Sequence, residues 1–476
     1  MTCGREDDGV AEQEPWNILV IVCDTLRRDY LGAYGNRWIS TPALDRLAAE
    51  ATVFEEHWVG SFPTIPLRQD LLTGRYVFPF WGWAPLPAAG RETLATAFGR
   101  AGFVTQLITD NPHYLKPGMN LHFGFRGWDV IRGQISDAYA TTPEDVALPC
   151  APEKLRNPDE VRNYLRNVAD RKSEADYFPA RVFGRAAAWL EANRRRRFFL
   201  LVDSFDVHEP WDPPQWYVDR YDPGYEGQVV IQPRYLDRLD YISEAELRHV
   251  RALYAAEVTL VDRWLGRLLE HVADLGLWEH TAIVFISDHG YYLGDHGYTG
   301  KHTVDVPQRG WPLYAEVARV PLLVRVPGLA PGRSAALAQA VDVHATLRDL
   351  AGVARGPEAA PAHGVSLLPV LRGEAAAARD LAISSPTLPT APDRLQWSSV
   401  TDGDWLLLDP GGFRGEGVEP RIYARDADPG SARDLWATPE GRQRAEALHR
   451  RYMARLGECG VAEDVLRLRA WPGDAR

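Results

Sequence analysis

The stretch Asn17–Asp24, NILVIVCD, is an almost unbroken apolar run closed by a carboxylate. A strand with one wet face would alternate, so continuity over the length of a strand reads as burial on both faces, the situation of a parallel sheet. Runs of the same kind recur at Phe103–Ile108, Phe198–Asp203, Ala282–Asp288 and Val320–Val326. Helical patterns lie between them, at Pro42–Glu50, Glu92–Ala101, Tyr177–Ala192 and Glu244–Gly276. This alternation predicts an α/β fold, a large doubly wound mixed sheet flanked by helices, with ligands gathered beyond the carboxyl ends of its strands. Three of the five runs end at aspartate. Turn and cap preferences account for any one of them, whereas three together predict a site.

Further along, Gly356–Glu374 is rich in Ala, Pro and Gly and reads as a connection. Short strand patterns follow at Leu381–Ser385, Trp397–Thr401 and Trp405–Leu408, then a helix over Pro439–Leu456. The expected organisation is a catalytic α/β domain over 15–370 and a smaller C-terminal α+β domain over 371–476. The basic run Arg194–Arg197 falls between a helix and a strand and reads as a solvated helix end.

With 476 residues, 45% of them hydrophobic, the chain is long enough for a large core. A net charge of −12 argues against a nucleic-acid partner, which calls for a basic face. Small anionic substrates stay open, because a few local cations and a metal outweigh the global sign. Cys3, Cys23, Cys150 and Cys459 show no metal-ribbon or disulfide-frame spacing. No stretch reaches the roughly 18 apolar residues that span a bilayer, and Arg5–Asp8 ahead of a short apolar run is unlike a secretory leader. The expectation is a cytoplasmic protein with no membrane partner; a homo-oligomer is left open.

The most informative segment is Ser61–Tyr76, SFPTIPLRQDLLTGRY. Pro66 and the helix-forming run behind it put Thr64 at or just before a helix N-terminus, where free N–H groups favour an anion. Arg68 can bring a planar fork of donors to the same anion. By itself a threonine before a helix is an ordinary cap. The segment nevertheless resembles, in register, the C-x-P-x-R helix and T-G-R ending of the sulfatase family. Other resemblances follow: Asp24 after its strand, His208–Pro210, S-D-H-G at Ser287–Gly290, Asp295 and Lys301, RVPLLVRVPG at Arg319–Gly328, DVHATLRDLAG at Asp342–Gly352 and GVSLLPVLRGE at Gly364–Glu374. Within the alkaline phosphatase superfamily, the arylsulfatase and phosphonate monoester hydrolase-like members are the ones it most resembles.

The resemblance implies an ester hydrolase. Asp24, Asp288 and His289, with the Thr64 oxygen, are the implied ligands of one divalent metal, Mn, Ca, Mg or Zn, which polarises the ester and activates the hydroxyl. Lys301 and Arg68 neutralise its non-bridging oxygens, His208 stands near the leaving group, and Thr109 and Asn111 contact a small anionic ester substrate. A second metal would draw on Asp203, Asp206, His208, His296 and His302; Lys301 matches the branch in which a lysine replaces that cation, so one is expected.

The pattern breaks at two positions. Sulfatases carry an oxidisable cysteine or serine where this chain has Thr64, so formylglycine is not expected. A formylglycine diol sheds sulfate through its second hydroxyl, but a threonine ester must be cleared by water, which favours phosphate or phosphonate esters over sulfate. Cys23 replaces the aspartate that often precedes Asp24, as phosphonate and phosphodiester relatives tolerate. Cys150, in Cys-Ala-Pro-Glu-Lys, lacks the arginine and helix of the motif. Transfer to an acceptor other than water, as in mutases, and a catalytically silent binding protein are the competing readings.

Overall fold

The computed structural model describes residues 17–86, 92–116, 118–140, 146–301, 310–356, 359–388, 391, 393–413, 418–428 and 430–471. Among the described residues ten strands precede the C-terminal region: β1 (Asn17–Cys23), β2 (Thr52–His57), β3 (Val104–Thr109), β4 (Gly127–Val130), β5 (Phe198–Ser204), β6 (Thr281–Ser287), β7 (Tyr292–Leu293), β8 (Thr299–Gly300), β9 (Leu322–Arg325) and β10 (Gly332–Ala338). All but β7 and β8 form one sheet in the order β10-β2-β9-β6-β1-β5-β3-β4. It is parallel apart from β9, which runs antiparallel to both β2 and β6. The expected mixed sheet is therefore present, with β1 near its centre between β5 and β6.

β1, β5 and β6 are buried along essentially their whole length, as continuous apolar runs require. Helices cover the sheet in two packed groups. One gathers Pro42–Ala49, Phe178–Asn193 and the long Glu244–Asp274 helix, which opens with a capping box between Ser243 and Glu246. The other gathers Thr64–Thr73, Leu94–Arg100 and Ala340–Leu350. In the large sheet the strands missed by pattern were β2, β4 and β10, whose sequences TVFEEH, GWDV and GRSAALA carry charge or glycine where the central strands are apolar; the short pair β7 and β8 was not foreseen either.

Helix Thr64–Thr73 is buried at all ten positions. Its polar residues are accordingly bonded. Asp70 accepts from the Ser61 N–H and hydroxyl, both at 2.7 Å, and from the Val77 N–H at 3.0 Å. Gln69 takes the Trp81 indole N–H at 2.6 Å. Gly74 ends the helix at φ +70°, donating to the Asp70 carbonyl at 2.8 Å, and a Cβ there would meet the His344 ring.

The C-terminal region folds as an antiparallel sheet β11 (Ala382–Ser384), β12 (Ser398–Thr401), β13 (Trp405–Asp409) and β14 (Arg421–Ala424), against which helix Pro439–Glu458 packs. The strand β14 was not foreseen. Two devices fasten this sheet to the first: a buried Arg379–Asp342 pair, and Gln339, whose amide donates to the carbonyls of Val59 and Ile383 at 2.9 and 2.8 Å. Among the described residues no helix is long and apolar enough to cross a membrane.

Candidate active site

Cys23 lies opposite Ser287 in the β1–β6 register, so Asp24 and Asp288 leave adjacent strands side by side. Asp203, on the other flank, lies opposite Val22. All three carboxylates are fully buried, and like charges withdrawn from water require cations. Arg68 supplies one. Its Nε and Nη2 donate to the two Asp203 oxygens at 2.7 and 2.8 Å, and its Nη1 donates to Asp288 at 2.6 Å. Asp24 Oδ2 lies 3.1 Å from Arg68 Nη2. The Tyr114 hydroxyl adds a bond to Asp203 at 2.7 Å. Lys301, also buried, donates to the Thr25 hydroxyl at 3.2 Å, which in turn donates to Asp24 at 2.7 Å.

Thr64 is the first residue of its helix. The N–H groups of that turn have no partner within the helix, and Pro66 has none to offer, so the end is electropositive. The Thr64 hydroxyl is 3.2 Å from His289 Nε2. On the other side of the ring, Nδ1 lies 3.0 Å from the Gly290 carbonyl. A carbonyl only accepts, so Nδ1 holds the proton and Nε2 presents its lone pair. Burial keeps the ring neutral by driving its pKa down to about 3.

Asp24, Asp288 and His289 offer ligand atoms that all lie within 4.8 Å of one another, and no second such trio occurs among the described residues. The donor set fits a divalent cation. Asp24 Oδ2 is buried without a hydrogen-bond partner, the imidazole tautomer is fixed for ligation through Nε2, and three carboxylates are set against two cations, Arg68 and Lys301. Burial and the neighbouring Asp288 push Asp24 above the ordinary carboxylate range. Against the effect of burial, the Arg68 charge helps hold Asp288 below it.

Above this cluster opens a cavity of 470 Å³, with Thr64, His208 and Lys301 on its wall. His208 stacks on Phe205 at 4.2 Å, and its Nδ1 donates to the Glu209 carbonyl at 2.6 Å, which leaves Nε2 as an acceptor. Burial, then Lys301, lowers its pKa well below the usual histidine value. Pro386, Thr387 and Gln396 bring the C-terminal region into the same wall.

Of the residues singled out in the sequence, Thr64, Arg68, Asp24, Asp288, His289 and Lys301 come together. Arg68, however, lies beneath the cavity rather than on its wall, with its donors spent on carboxylates. Thr109 and Asn111 are fully buried, the Thr109 hydroxyl accepting from the Asn111 N–H at 3.0 Å, while the Asn111 side-chain amide nitrogen has no hydrogen-bond partner; His113, two residues on, lines the cavity instead. Among the further metal ligands considered, Asp203 is taken by Arg68 and Tyr114, Asp206 accepts from Gln134 at 2.8 Å, and His296 stacks on Tyr314. His302 falls outside the described residues. Sequence reasoning missed Arg156, Trp83, His113 and Tyr235 on the cavity wall. No motif marks them. Trp211, Tyr217 and Tyr221 pack as core, while Trp216 is exposed.

The sulfatase family model matches residues 16–353. An arylsulfatase of Clostridium perfringens is 27% identical over 71% of this chain and 75% of its own. The multifunctional alkaline phosphatase superfamily protein PehA of Trinickia caryophylli is 25% identical over 75% of this chain and 77% of its own. Among solved structures, the phosphonate monoester hydrolase of Agrobacterium radiobacter superposes with a TM-score of 0.73 at 20% identity, covering 93% of this chain and 96% of that one. BT4656 in complex with D-glucosamine-2-N,6-O-disulfate gives 0.72 at 19%, covering 95% and 99%.

Proposed function

The chain belongs to the sulfatase family and is an ester-hydrolysing enzyme, and from that premise we propose that Thr64 is its nucleophile, that one divalent metal serves the site, and that phosphate or phosphonate esters are preferred to sulfate esters. The observation that carries this reading is the Thr64 hydroxyl, 3.2 Å from His289 Nε2 at the mouth of a buried Asp, Asp and His cluster.

Asp24, Asp288, His289 and the Thr64 oxygen would hold the metal, which when bound supplies Lewis-acid polarisation of the ester and a lower hydroxyl pKa. The substrate anion rests over the N-terminus of helix Thr64–Thr73, with the Lys301 charge beside it. Arg68 acts from below. Its bonds to Asp24's neighbours hold the carboxylates in place, and its charge reaches the anion through space. The Thr64 oxygen bonds to phosphorus as the bond to the leaving oxygen breaks, giving a threonine ester. In net terms the Thr64 proton passes to the leaving oxygen, with His208 Nε2 as carrier, since its lone pair faces the cavity. Water then attacks phosphorus, restoring Thr64 and releasing the acid.

The chemistry at residue 64 sets the preference between central atoms. A threonine has no second hydroxyl through which to eliminate sulfate, so its ester is released only by attack of water on the central atom. The test compares wild type with Thr64→Ala on p-nitrophenyl phosphate, a p-nitrophenyl phosphonate and p-nitrophenyl sulfate with divalent metal added. Turnover in the order phosphorus before sulfur, abolished in the variant, is expected. Unchanged turnover in Thr64→Ala would remove the residue from the mechanism.

A further inference from the structure

Arg156 stands on the wall of the same cavity as Thr64 and Lys301, yet it belongs to none of the ion pairs beneath the nucleophile. Its backbone is fixed on both sides: its N–H donates to the Gln232 carbonyl at 3.0 Å, and the N–H of Asn157 donates to the Gln232 side chain at 3.1 Å. The guanidinium lies over the Tyr235 ring, 4.1 Å from its centroid. Tyr235 is held in turn by its hydroxyl, which donates to Glu209 at 2.5 Å. Glu209 is fully buried and lies 3.5 Å from Arg156 Nη1, beyond a hydrogen bond. The carboxylate thus balances the charge without consuming a donor. Among the described residues the Arg156 side chain gives no hydrogen bond, and its fork of donors is left to the cavity.

Such an arrangement, a stacked and charge-balanced guanidinium with unused donors on a concave wall, is a receptor for a planar anion. Its place in the cavity decides which anion. Arg156 is joined through Glu209 to His208, on the side assigned to the departing group; the Glu209 charge reaches Lys301 as well, but Lys301 bonds to Thr25 over the carboxylate cluster and with the helix N-terminus serves the group under attack. Phe62, Trp83 and Ile135 give the cavity an apolar lining. Glu160, the one carboxylate on the wall among the described residues, accepts from the Ser136 hydroxyl at 2.9 Å.

We propose that Arg156 binds a second anionic group, carried on an apolar, aryl-type leaving group of the ester. The inference rests on the reading that the cleaved ester sits at Thr64, and it assigns the substrate class: esters that bear a carboxylate or a comparable anion remote from the bond broken.

Calorimetric titration separates this from the parent reading, because binding requires no turnover. The probes are phenylphosphonate and 4-phosphonobenzoate, neither of which contains a cleavable ester, added to the metal-loaded full-length protein. Wild type is expected to bind 4-phosphonobenzoate at least about tenfold more tightly than phenylphosphonate. In Arg156→Gln that ratio falls to near one, and in Arg156→Lys it lies between the two, because a point charge replaces the fork. Thermal melting of each variant verifies the fold. Equal affinities in wild type, a ratio that survives Arg156→Gln, or binding of neither probe would overturn the proposal. Selective binding in a protein that turns over no ester would instead sink the assignment of Thr64 while leaving this subsite standing.

Discussion

The Arg68 guanidinium and the Asp203 carboxylate meet edge to edge, Nε to Oδ2 at 2.7 Å and Nη2 to Oδ1 at 2.8 Å, both out of reach of solvent. A fork held this way cannot turn toward a ligand without abandoning a buried charge. Asp203 therefore positions Arg68. Asp203→Asn removes one partner of a buried pair and is expected to cost about 3 kcal/mol or more in denaturant unfolding. Turnover should fall chiefly in kcat, with KM little changed, because the guanidinium does not line the cavity. A variant as stable as wild type would show that Asp24 and Asp288 hold Arg68 unaided.

The surplus of buried carboxylate predicts that the enzyme depends on a metal. Prolonged chelation and desalting should bring turnover to background, and one equivalent of a suitable divalent metal per chain should restore it. Elemental analysis is expected to find about one ion per chain in wild type and little in Asp288→Asn. Two tightly held ions would refute the single centre.

If the ester passes through residue 64, acid-quenched protein caught during turnover of a phosphorus ester should carry a phosphoryl or phosphonyl group on the peptide containing Thr64. Thr64→Ser should retain activity that Thr64→Ala loses, the alanine variant falling by about 10³-fold or more. Label found on another residue would reassign the nucleophile.

Asp70 ties the turn before Thr64 to the turn after its helix, through Ser61 and Val77. Asp70→Ala strands two buried donors, the N–H and hydroxyl of Ser61, while the Val77 N–H keeps its 2.8 Å bond to Ser61 Oγ, and should destabilise the protein by about 2 kcal/mol or more. Thermal melts and turnover read together test this, since the same loss should loosen the loop that presents Thr64.

His344 is buried with Nδ1 donating to the Leu71 carbonyl at 3.0 Å, and burial lowers its pKa to about 3. A histidine with a depressed folded-state pKa contributes stability that is complete above its unfolded value and lost as pH falls below it. Relative to His344→Gln, wild type should lose about 2 kcal/mol between pH 7.5 and pH 5, from about 1.4 kcal/mol per unit below an unfolded pKa of about 6.5. The urea midpoints of both proteins at the two pH values measure it; a constant difference would mean that the ring titrates normally.

The α/β sheet was legible because β1, β5 and β6 are buried on both faces, and double burial leaves a continuous apolar run. β2 was not, because Glu55 and Glu56 sit within it, paired to arginines on distant segments such as Arg319 and Arg425. The convergence of Asp24, Asp203 and Asp288 could be read from aspartates at strand ends, since strand register converts sequence position into spatial adjacency. Arg156 and Tyr235 could not: their juxtaposition depends on how two irregular segments pair through Gln232, and no local pattern encodes that. Arg68 was placed in the right cluster with the wrong neighbours. Its partner Asp203 had looked like a candidate ligand, and only the side-chain geometry shows that its oxygens are already engaged.

Asp24, Asp203 and Asp288 are spaced by three neighbouring strands and tied by Arg68, Tyr114 and Thr25, so the segments 132–157 and 211–241, whose described residues give those carboxylates no hydrogen bond, carry little of the burden of holding the centre in tune. They can be exchanged or lengthened as separate parts. Grafting the 132–157 or 211–241 segment from a relative should redirect which leaving group is accepted while leaving the chemical step itself intact, which makes this scaffold a tractable chassis for altering selectivity.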